Sequence, residues 1–166
     1  MIAASAAAIV FALMLIENAV SARHDRALRA GGAVEPAGDV YRLMAVAYPA
    51  AFVAMLLEGF LREAGPDRLL AAGSGLFVAA KALKYWAIAS LGPRWTFRVL
   101  VPPGSERTMV GPYRWLSHPN YVAVVGELVA VALAMRALLS GPVAVVVFGL
   151  LILRRIRVEE LALAAR

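Results

Sequence analysis

The chain has 166 residues, of which 62% are hydrophobic and 17% are charged, and its mean hydropathy is +0.75. A soluble domain is about half apolar and about a quarter charged, so this composition excludes an ordinary soluble domain and favours lipid as the solvent. The net charge of +6 does not indicate nucleic-acid binding, because the basic residues lie between apolar segments, where the positive-inside rule expects them.

The apolar residues form five segments, which we predict to be membrane-spanning helices. A helix of roughly 20 apolar residues crosses a bilayer, and backbone groups in lipid must be hydrogen-bonded within their own segment. The first segment lacks the basic start of a signal peptide, so we expect it to be retained. The predicted fold is an all-α membrane bundle formed by one domain, residues 1–166, with spans at about 2–22, 41–61, 69–91, 119–139 and 142–158.

The connections between these spans predict the orientation of the chain. Of the 17 Lys and Arg residues, two lie within the third span, three lie at the side of the second and fourth connections, and twelve lie at the other side. The positive-inside rule therefore places the N-terminus outside the cell (inner) membrane and the C-terminus in the cytoplasm. The twelve are Arg23, Arg26, Arg29, Arg42, Arg94, Arg98, Arg107, Arg114, Arg154, Arg155, Arg157 and Arg166.

The third connection, residues 92–117, is the longest, and in a chain with few spare residues it is a candidate functional loop. Within the third span, Gly73-Ser74-Gly75 lies in an apolar helical stretch. This stretch does not follow a strand, so we expect it to support close helix packing and not nucleotide binding.

The fifth span has a short apolar run, residues 142–153, followed by the charged residues 154–160 without a helix breaker. Twelve helical residues cover roughly 18 Å of a hydrocarbon core about 30 Å thick. The charged end therefore either meets a thinned bilayer or lies at membrane depth inside the bundle, where it would form a functional site. Arg155 and Glu159 are four residues apart and can pair on one helix face. The alternative is a basic helix that binds anionic lipid.

A second polar cluster, residues 111–121, precedes the fourth span. Pro119 suits the first position of a helix because it lacks an N–H group, which leaves His118 as the N-cap residue. Such a helix start can accept an anionic group, and Tyr121 in the first turn could line a pocket. The alternative is an interfacial aromatic belt with His118 as a plain cap.

Charged side chains also fall inside the predicted spans, at a cost of about 2.5–3.5 kcal/mol each on insertion scales, so they should face one another or a cavity. We expect Lys84 to pair with Glu127 or Glu17. For Glu58 and Lys81 we expect their polar ends to extend to the interface instead. The chain has no cysteine and only two, widely separated histidines, so no metal site is expected.

Taken in order, these motifs resemble the isoprenylcysteine carboxyl methyltransferase family, whose members are integral membrane methyltransferases that use S-adenosylmethionine without a Rossmann domain. The resemblance covers about the last 75 residues, with Ser117 standing where many relatives have Arg. The motifs are Leu91-Gly92 with Trp95, Gly111-Pro112-Tyr113-Arg114, His118-Pro119-Asn120-Tyr121, Gly126-Glu127 and residues 155–161.

The front half resembles a short bacterial branch of this family, which is associated with O-methylation of alkylpyrones and alkylresorcinols. The chain stops six residues after Glu160 and lacks the longer tail of relatives that methylate prenylcysteine, which favours the lipid branch. The residues that carry this resemblance are Glu17-Asn18, Ser21, Arg23, Arg26, the Ala-Gly-Gly loop and Glu58.

The resemblance implies a cytoplasmic site that binds S-adenosylmethionine and a lipophilic acceptor. Glu159 would contact the polar end of the cofactor, and Arg155 would orient the acceptor oxyanion. An alkyl tail would enter sideways from the bilayer. The residues implied in the cofactor pocket are Tyr113, His118, Pro119, Tyr121 and Glu159.

Two alternatives stay open at this point. One is carboxyl methylation of a prenylated cysteine or similar isoprenoid. The other is a small membrane transporter or lipid-binding scaffold, although the chain has no paired inverted halves. We expect a lipophilic small-molecule acceptor and membrane lipid as partners, and no nucleic acid. The oligomeric state is not predicted.

Overall fold

The computed structural model describes residues 1–103 and 108–164, with side chains described as far as residue 162. Within this part the chain forms five α-helices and two short 3-10 helices, and no strand beyond one isolated bridge, so the predicted all-α class is confirmed. Arg107 and Arg166, which were counted for the orientation, lie outside the described residues. The helices are α1 (Ile2–Ala30), α2 (Tyr41–Leu61), α3 (Arg68–Leu91), α4 (Pro119–Ala134) and α5 (Ser140–Ala164), and the 3-10 helices are Gly92–Arg94 and Gly111–Arg114.

The helix boundaries match the predicted spans to different degrees. Helix α2 has the predicted limits, whereas α1 and α5 continue beyond theirs. Helix α4 ends at Ala134, before the predicted boundary at 139, because the chain turns at Arg136 with a φ of 51°. The amide of Arg136 donates to Leu133 and that of Ala137 donates to Ala132, which is the Schellman pattern that usually uses glycine.

The outer surface of the bundle is apolar. Helices α1 and α2 are long and apolar enough to cross a bilayer, and α4 is a shorter apolar helix. Large side chains stand exposed on the outer faces, for example Leu15, Phe60 and Leu150. A protein in water rarely exposes such large contiguous apolar areas, so this surface is suited to lipid.

Helix α3 packs most extensively against α4, while α5 packs against α2 and α4, and α1 against α2. The close packing predicted for Gly73 is confirmed, because a Cβ atom there would lie 2.6 Å from the carbonyl oxygen of Ala130. Gly75 faces open space. The pairing of α3 with α4 fixes the position of the α4 start, where the candidate site lies.

One end of the bundle is held by two carboxylates. Glu58 accepts hydrogen bonds from the amides of Leu139 and Ser140, so it joins the end of α2 to the start of α5. Glu58 was expected only to extend to the interface, and the structure adds this contact with the start of α5. Asp67 accepts the amide of Leu70 at the start of α3, and it also pairs with Arg136.

At the opposite end the third connection lies across the ends of α1 and α2. Val34 and Val101 form an antiparallel backbone bridge between the first and third connections. The carboxylate of Asp39 accepts the amide of Val99 at 2.9 Å. These bonds fix residues 95–101 above the interior of the bundle.

Candidate functional site

A cavity of about 580 Å³ opens beneath the third connection, between the helices. Its volume lies in the range of sites that hold small-molecule ligands, roughly 300–1,000 Å³. One end is polar and lies where α4 begins and α5 nears its end. A second polar region lies deeper, and apolar side chains separate the two regions, among them Met44, Val124 and Phe148.

The start of α4 is as predicted, with His118 at the N-cap and Pro119 as the first helical residue. The His118 side chain does not cap the helix. Its ring instead stacks on Tyr121, with centroids 5.6 Å apart and planes at 24°. His118 and Tyr121 line the cavity, whereas Pro119 is buried outside the lining and positions His118 through the backbone.

On α5, Arg155 is 5% exposed, and its charged group lies inside the bundle. Its Nε atom is 3.4 Å from Oε1 of Glu159, so the predicted pair is confirmed. Its Nη1 atom is 3.8 Å from Oδ1 of Asp39, a residue that sequence reasoning missed. Asp39 comes just before α2 and accepts the amide of Tyr41, so its position at a helix start was the signal available.

Glu159 connects α5 to α4. The Tyr121 hydroxyl donates a hydrogen bond to Oε1 of Glu159, and Nδ1 of His118 lies 3.6 Å from Oε2. Tyr113 lines the cavity nearby, and burial, with the negative charge of Glu159, raises its pKa to about 12. The structure thus joins His118, Tyr121, Arg155 and Glu159 into one group, which we call the α4–α5 cluster.

Three buried polar atoms among the residues lining the cavity have no hydrogen-bond partner in the described part of the chain. They are Nε1 of Trp95, Nε2 of His118 and Oδ1 of Asn120. A buried polar atom without a partner costs about 1–3 kcal/mol, so such atoms usually have a ligand or water to bond. Trp95 and Asn120 belong to the motifs noted above, but sequence reasoning gave them no role.

The deeper polar region is a ring of four charged side chains, Glu17, Lys81, Lys84 and Glu127, which we call the buried quartet. Lys84 Nζ lies 2.6 Å from Glu17 and 3.1 Å from Glu127, as predicted. Lys81 Nζ lies 2.6 Å and 2.9 Å from the same two glutamates. Lys81 is 6% exposed, so the expectation that it extends to the interface is wrong. Helices α1, α3 and α4 enclose it between two opposite charges, which offsets its desolvation.

Comparison with known proteins decides the family. The model of the isoprenylcysteine carboxyl methyltransferase (ICMT) family matches residues 73–165, which include the α4–α5 cluster. The chain belongs to this family. It is therefore a membrane protein of a methyltransferase family whose members use S-adenosylmethionine as the methyl donor.

The similar proteins found are bacterial. The chain is 29% identical over 147 residues to the uncharacterized protein YpbQ of Bacillus subtilis (strain 168), covering 89% of this chain and 88% of the relative. It is 24% identical over 158 residues to an uncharacterized protein of Haemophilus influenzae, covering 95% and 92% of the two chains. No solved structure matches the chain.

Proposed function

We propose that this protein transfers a methyl group from S-adenosylmethionine to an oxygen of a lipophilic acceptor, at the cytoplasmic side of the cell membrane. The observation that carries the proposal is the α4–α5 cluster itself. Two ring side chains, a buried guanidinium and a carboxylate meet at one end of a cavity in a chain of a methyltransferase family.

The residues around the cavity fit the cofactor. Carboxylates at the cavity wall, Glu159 and Glu160, can accept hydrogen bonds from an ammonium group or from ribose hydroxyls. The atoms of Trp95, His118 and Asn120 that have no hydrogen-bond partner in the described residues offer donors and acceptors to a purine and its polar tail. When bound, S-adenosylmethionine supplies a methyl group on a positively charged sulfur, which leaves as a neutral thioether after the acceptor oxygen takes the methyl.

Arg155 is the residue that we assign to the acceptor oxygen. A guanidinium has five N–H groups, and its contacts with Asp39 and Glu159, at 3.8 Å and 3.4 Å, leave donors for a further partner. In a dry cavity, a fixed positive charge stabilises an oxyanion more strongly than it does in water. Arg155 therefore favours the ionised acceptor and holds its oxygen in place, while the proton leaves to solvent.

The apolar part of the cavity suits an acceptor with a long tail. Phe11, Met14 and Phe148 contribute to its wall. Leu15 also lines the cavity and is 69% exposed on the outer face of α1, so the cavity reaches the apolar surface of the bundle. A head group with an acidic hydroxyl and an alkyl tail, as in an alkylpyrone or alkylresorcinol, matches both parts.

The proposal is tested with purified protein in detergent, labelled S-adenosylmethionine and three acceptors: an alkylpyrone, an alkylresorcinol and a prenylated cysteine. Removing one oxyanion-stabilising donor typically lowers turnover about 10²–10³-fold, which is the effect expected for Arg155→Ala. We expect Glu159→Gln to weaken cofactor use. Arg154→Ala is the matched control, because Arg154 is the exposed neighbour.

Methyl transfer to the alkylpyrone or alkylresorcinol, lost in Arg155→Ala and kept in Arg154→Ala, would support the proposal. Methyl transfer to the prenylated cysteine alone would show that the acceptor is a prenylated cysteine and not an alkylpyrone or alkylresorcinol. Wild-type rates in both Arg155→Ala and Glu159→Gln would remove the α4–α5 cluster from the reaction.

A further inference from the structure

The buried quartet is asymmetric with respect to the cavity. Lys81 and Lys84 are held by the same two glutamates, yet only Lys84 and Glu17 line the cavity. Lys84 is 1% exposed. Beside it the hydroxyl of Tyr48, a further lining residue, donates to Glu127 at 2.8 Å.

Stability alone does not require charged side chains at this place. A ring of two lysines and two glutamates is neutral as a whole, and replacing a buried ion pair by apolar side chains is often neutral or stabilising. An ammonium group has three N–H donors. In the described part of the chain, Lys84 pairs with two carboxylates, Glu17 and Glu127, and its Nζ lies 5.6 Å from the centroid of the Tyr48 ring, another cavity-lining side chain. The third N–H group is therefore the donor that a ligand in the cavity could use.

The two polar regions lie at different depths along α4. On α4, Tyr121 belongs to the α4–α5 cluster and Glu127 to the buried quartet, and their separation of six residues corresponds to about 9 Å along the helix axis. A six-membered ring with oxygens on two sides, and a hydrogen bond of about 3 Å at each, has a length of the same order. The aromatic rings of Tyr48 and Phe148, 5.0 Å apart, form part of the wall in between.

We infer that Lys84 is a positioning residue for the acceptor: it donates a hydrogen bond to the oxygen of the head group that is not methylated, while the reacting oxygen lies at Arg155. The inference rests on the proposed function and makes the substrate class narrower. Acceptors with two oxygens on the ring are selected over acceptors with one. Glu17 fixes the Lys84 ammonium in place for this contact.

The test compares a 5-alkylresorcinol with a 3-alkylphenol of the same tail, which differ only in the second hydroxyl. Binding is followed by the fluorescence of Trp95, which lines the cavity, in protein that carries Trp86→Phe and Trp115→Phe. A hydrogen bond to a charged group changes affinity by about 10- to 100-fold. We expect protein with the unaltered quartet to bind the alkylresorcinol more tightly than the alkylphenol by that factor. The values of kcat/KM for the two acceptors should differ by a matching factor.

Two double variants separate the role of Lys84 from that of the quartet. Lys84→Met/Glu127→Gln and Lys81→Met/Glu127→Gln each remove one positive and one negative charge, so one lysine stays paired with Glu17 and the bundle stays neutral. We expect the first to lose the preference for the second hydroxyl and the second to keep it. Both should keep the binding of S-adenosylmethionine, which reports that the fold and the α4–α5 cluster are intact.

Lys84→Arg, which keeps the charge, is a further test, with Lys81→Arg as its control. The longer guanidinium displaces the head group, so we expect a several-fold lower kcat/KM for the alkylresorcinol with Lys84→Arg only. The inference is overturned if protein with the unaltered quartet does not prefer the alkylresorcinol to the alkylphenol. It is also overturned if this preference survives in Lys84→Met/Glu127→Gln. Methyl transfer without a preference refutes the inference alone, whereas a Lys84-dependent preference without methyl transfer refutes only the proposed function.

Discussion

The packing of α3 against α4, which places the start of α4, can be tested at Gly73. A methyl group there would lie 2.6 Å from both the carbonyl oxygen of Ala130 and the amide nitrogen of Ala134. Both are backbone atoms, which cannot rotate away, so the helices must separate to admit the methyl group. Gly75 is the matched control on the same helix, because a Cβ atom there meets nothing within 4 Å.

The two substitutions should change stability in opposite directions. Inserting a methyl group into a packed interior costs about 1–3 kcal/mol, and a clash with two backbone atoms of α4 belongs at the upper end of that range. Replacing glycine by alanine inside a helix gains up to about 1 kcal/mol. We therefore expect Gly73→Ala to lose about 2 kcal/mol and Gly75→Ala to be neutral or to gain up to about 1 kcal/mol.

The measurement is the unfolding of both variants and the wild type in the same detergent, followed by circular dichroism. A difference between the variants of about 2–3 kcal/mol, with Gly73→Ala the less stable, agrees with the packing. Equal stability would show that α3 and α4 are farther apart than described, and the position assigned to the start of α4 would be wrong.

Two further predictions concern groups outside the five α-helices. The hydrogen bond from the amide of Leu70, and to a lesser extent the contact with Arg136, hold the pKa of Asp67 below its ordinary value of 3.8. The ionised Asp67 therefore contributes to stability above that value, and this contribution is lost as the pH falls through the folded pKa. The difference in unfolding temperature between wild type and Asp67→Asn, which keeps a helix cap, should therefore begin to shrink as the pH falls below about 4 and vanish below the folded pKa. A difference that stays constant with pH would contradict this prediction. For Tyr113, ultraviolet titration against Tyr113→Phe should place its ionisation at about pH 12, and Glu159→Gln should lower that value; an ordinary pKa near 10 would show that the side chain is hydrated.

The helices were predictable because lipid imposes a simple rule on the sequence. A long apolar segment must be a helix, so all five were found, and Pro119 marked the start of α4 correctly. The end of α4 was missed because Arg136 occupies the positive-φ position of the turn there. In a sequence, a Schellman turn is usually recognised by a glycine at that position. The predicted boundary was therefore placed at residue 139, just before Ser140-Gly141-Pro142.

The candidate site was predictable only in part. The pair of Arg155 with Glu159 follows from helix periodicity, since four residues bring two side chains to one face. The contact of Tyr121 with Glu159 joins residues 38 positions apart, and no local pattern contains it. Likewise Lys81 was misjudged because its partners lie on α1 and α4, and which helices meet is a property of the packed bundle.

The central claim is that the α4–α5 cluster holds the methyl donor, and binding of labelled S-adenosylmethionine to the purified protein by equilibrium dialysis tests it most directly. We expect saturable binding of one molecule per chain, weakened about tenfold or more in Glu159→Gln, since a hydrogen bond to a charged group is lost. Glu63→Gln, an exposed change at the other end of the bundle, should bind as the wild type does. Absence of saturable binding, or equal affinity in Glu159→Gln and wild type, would contradict the claim.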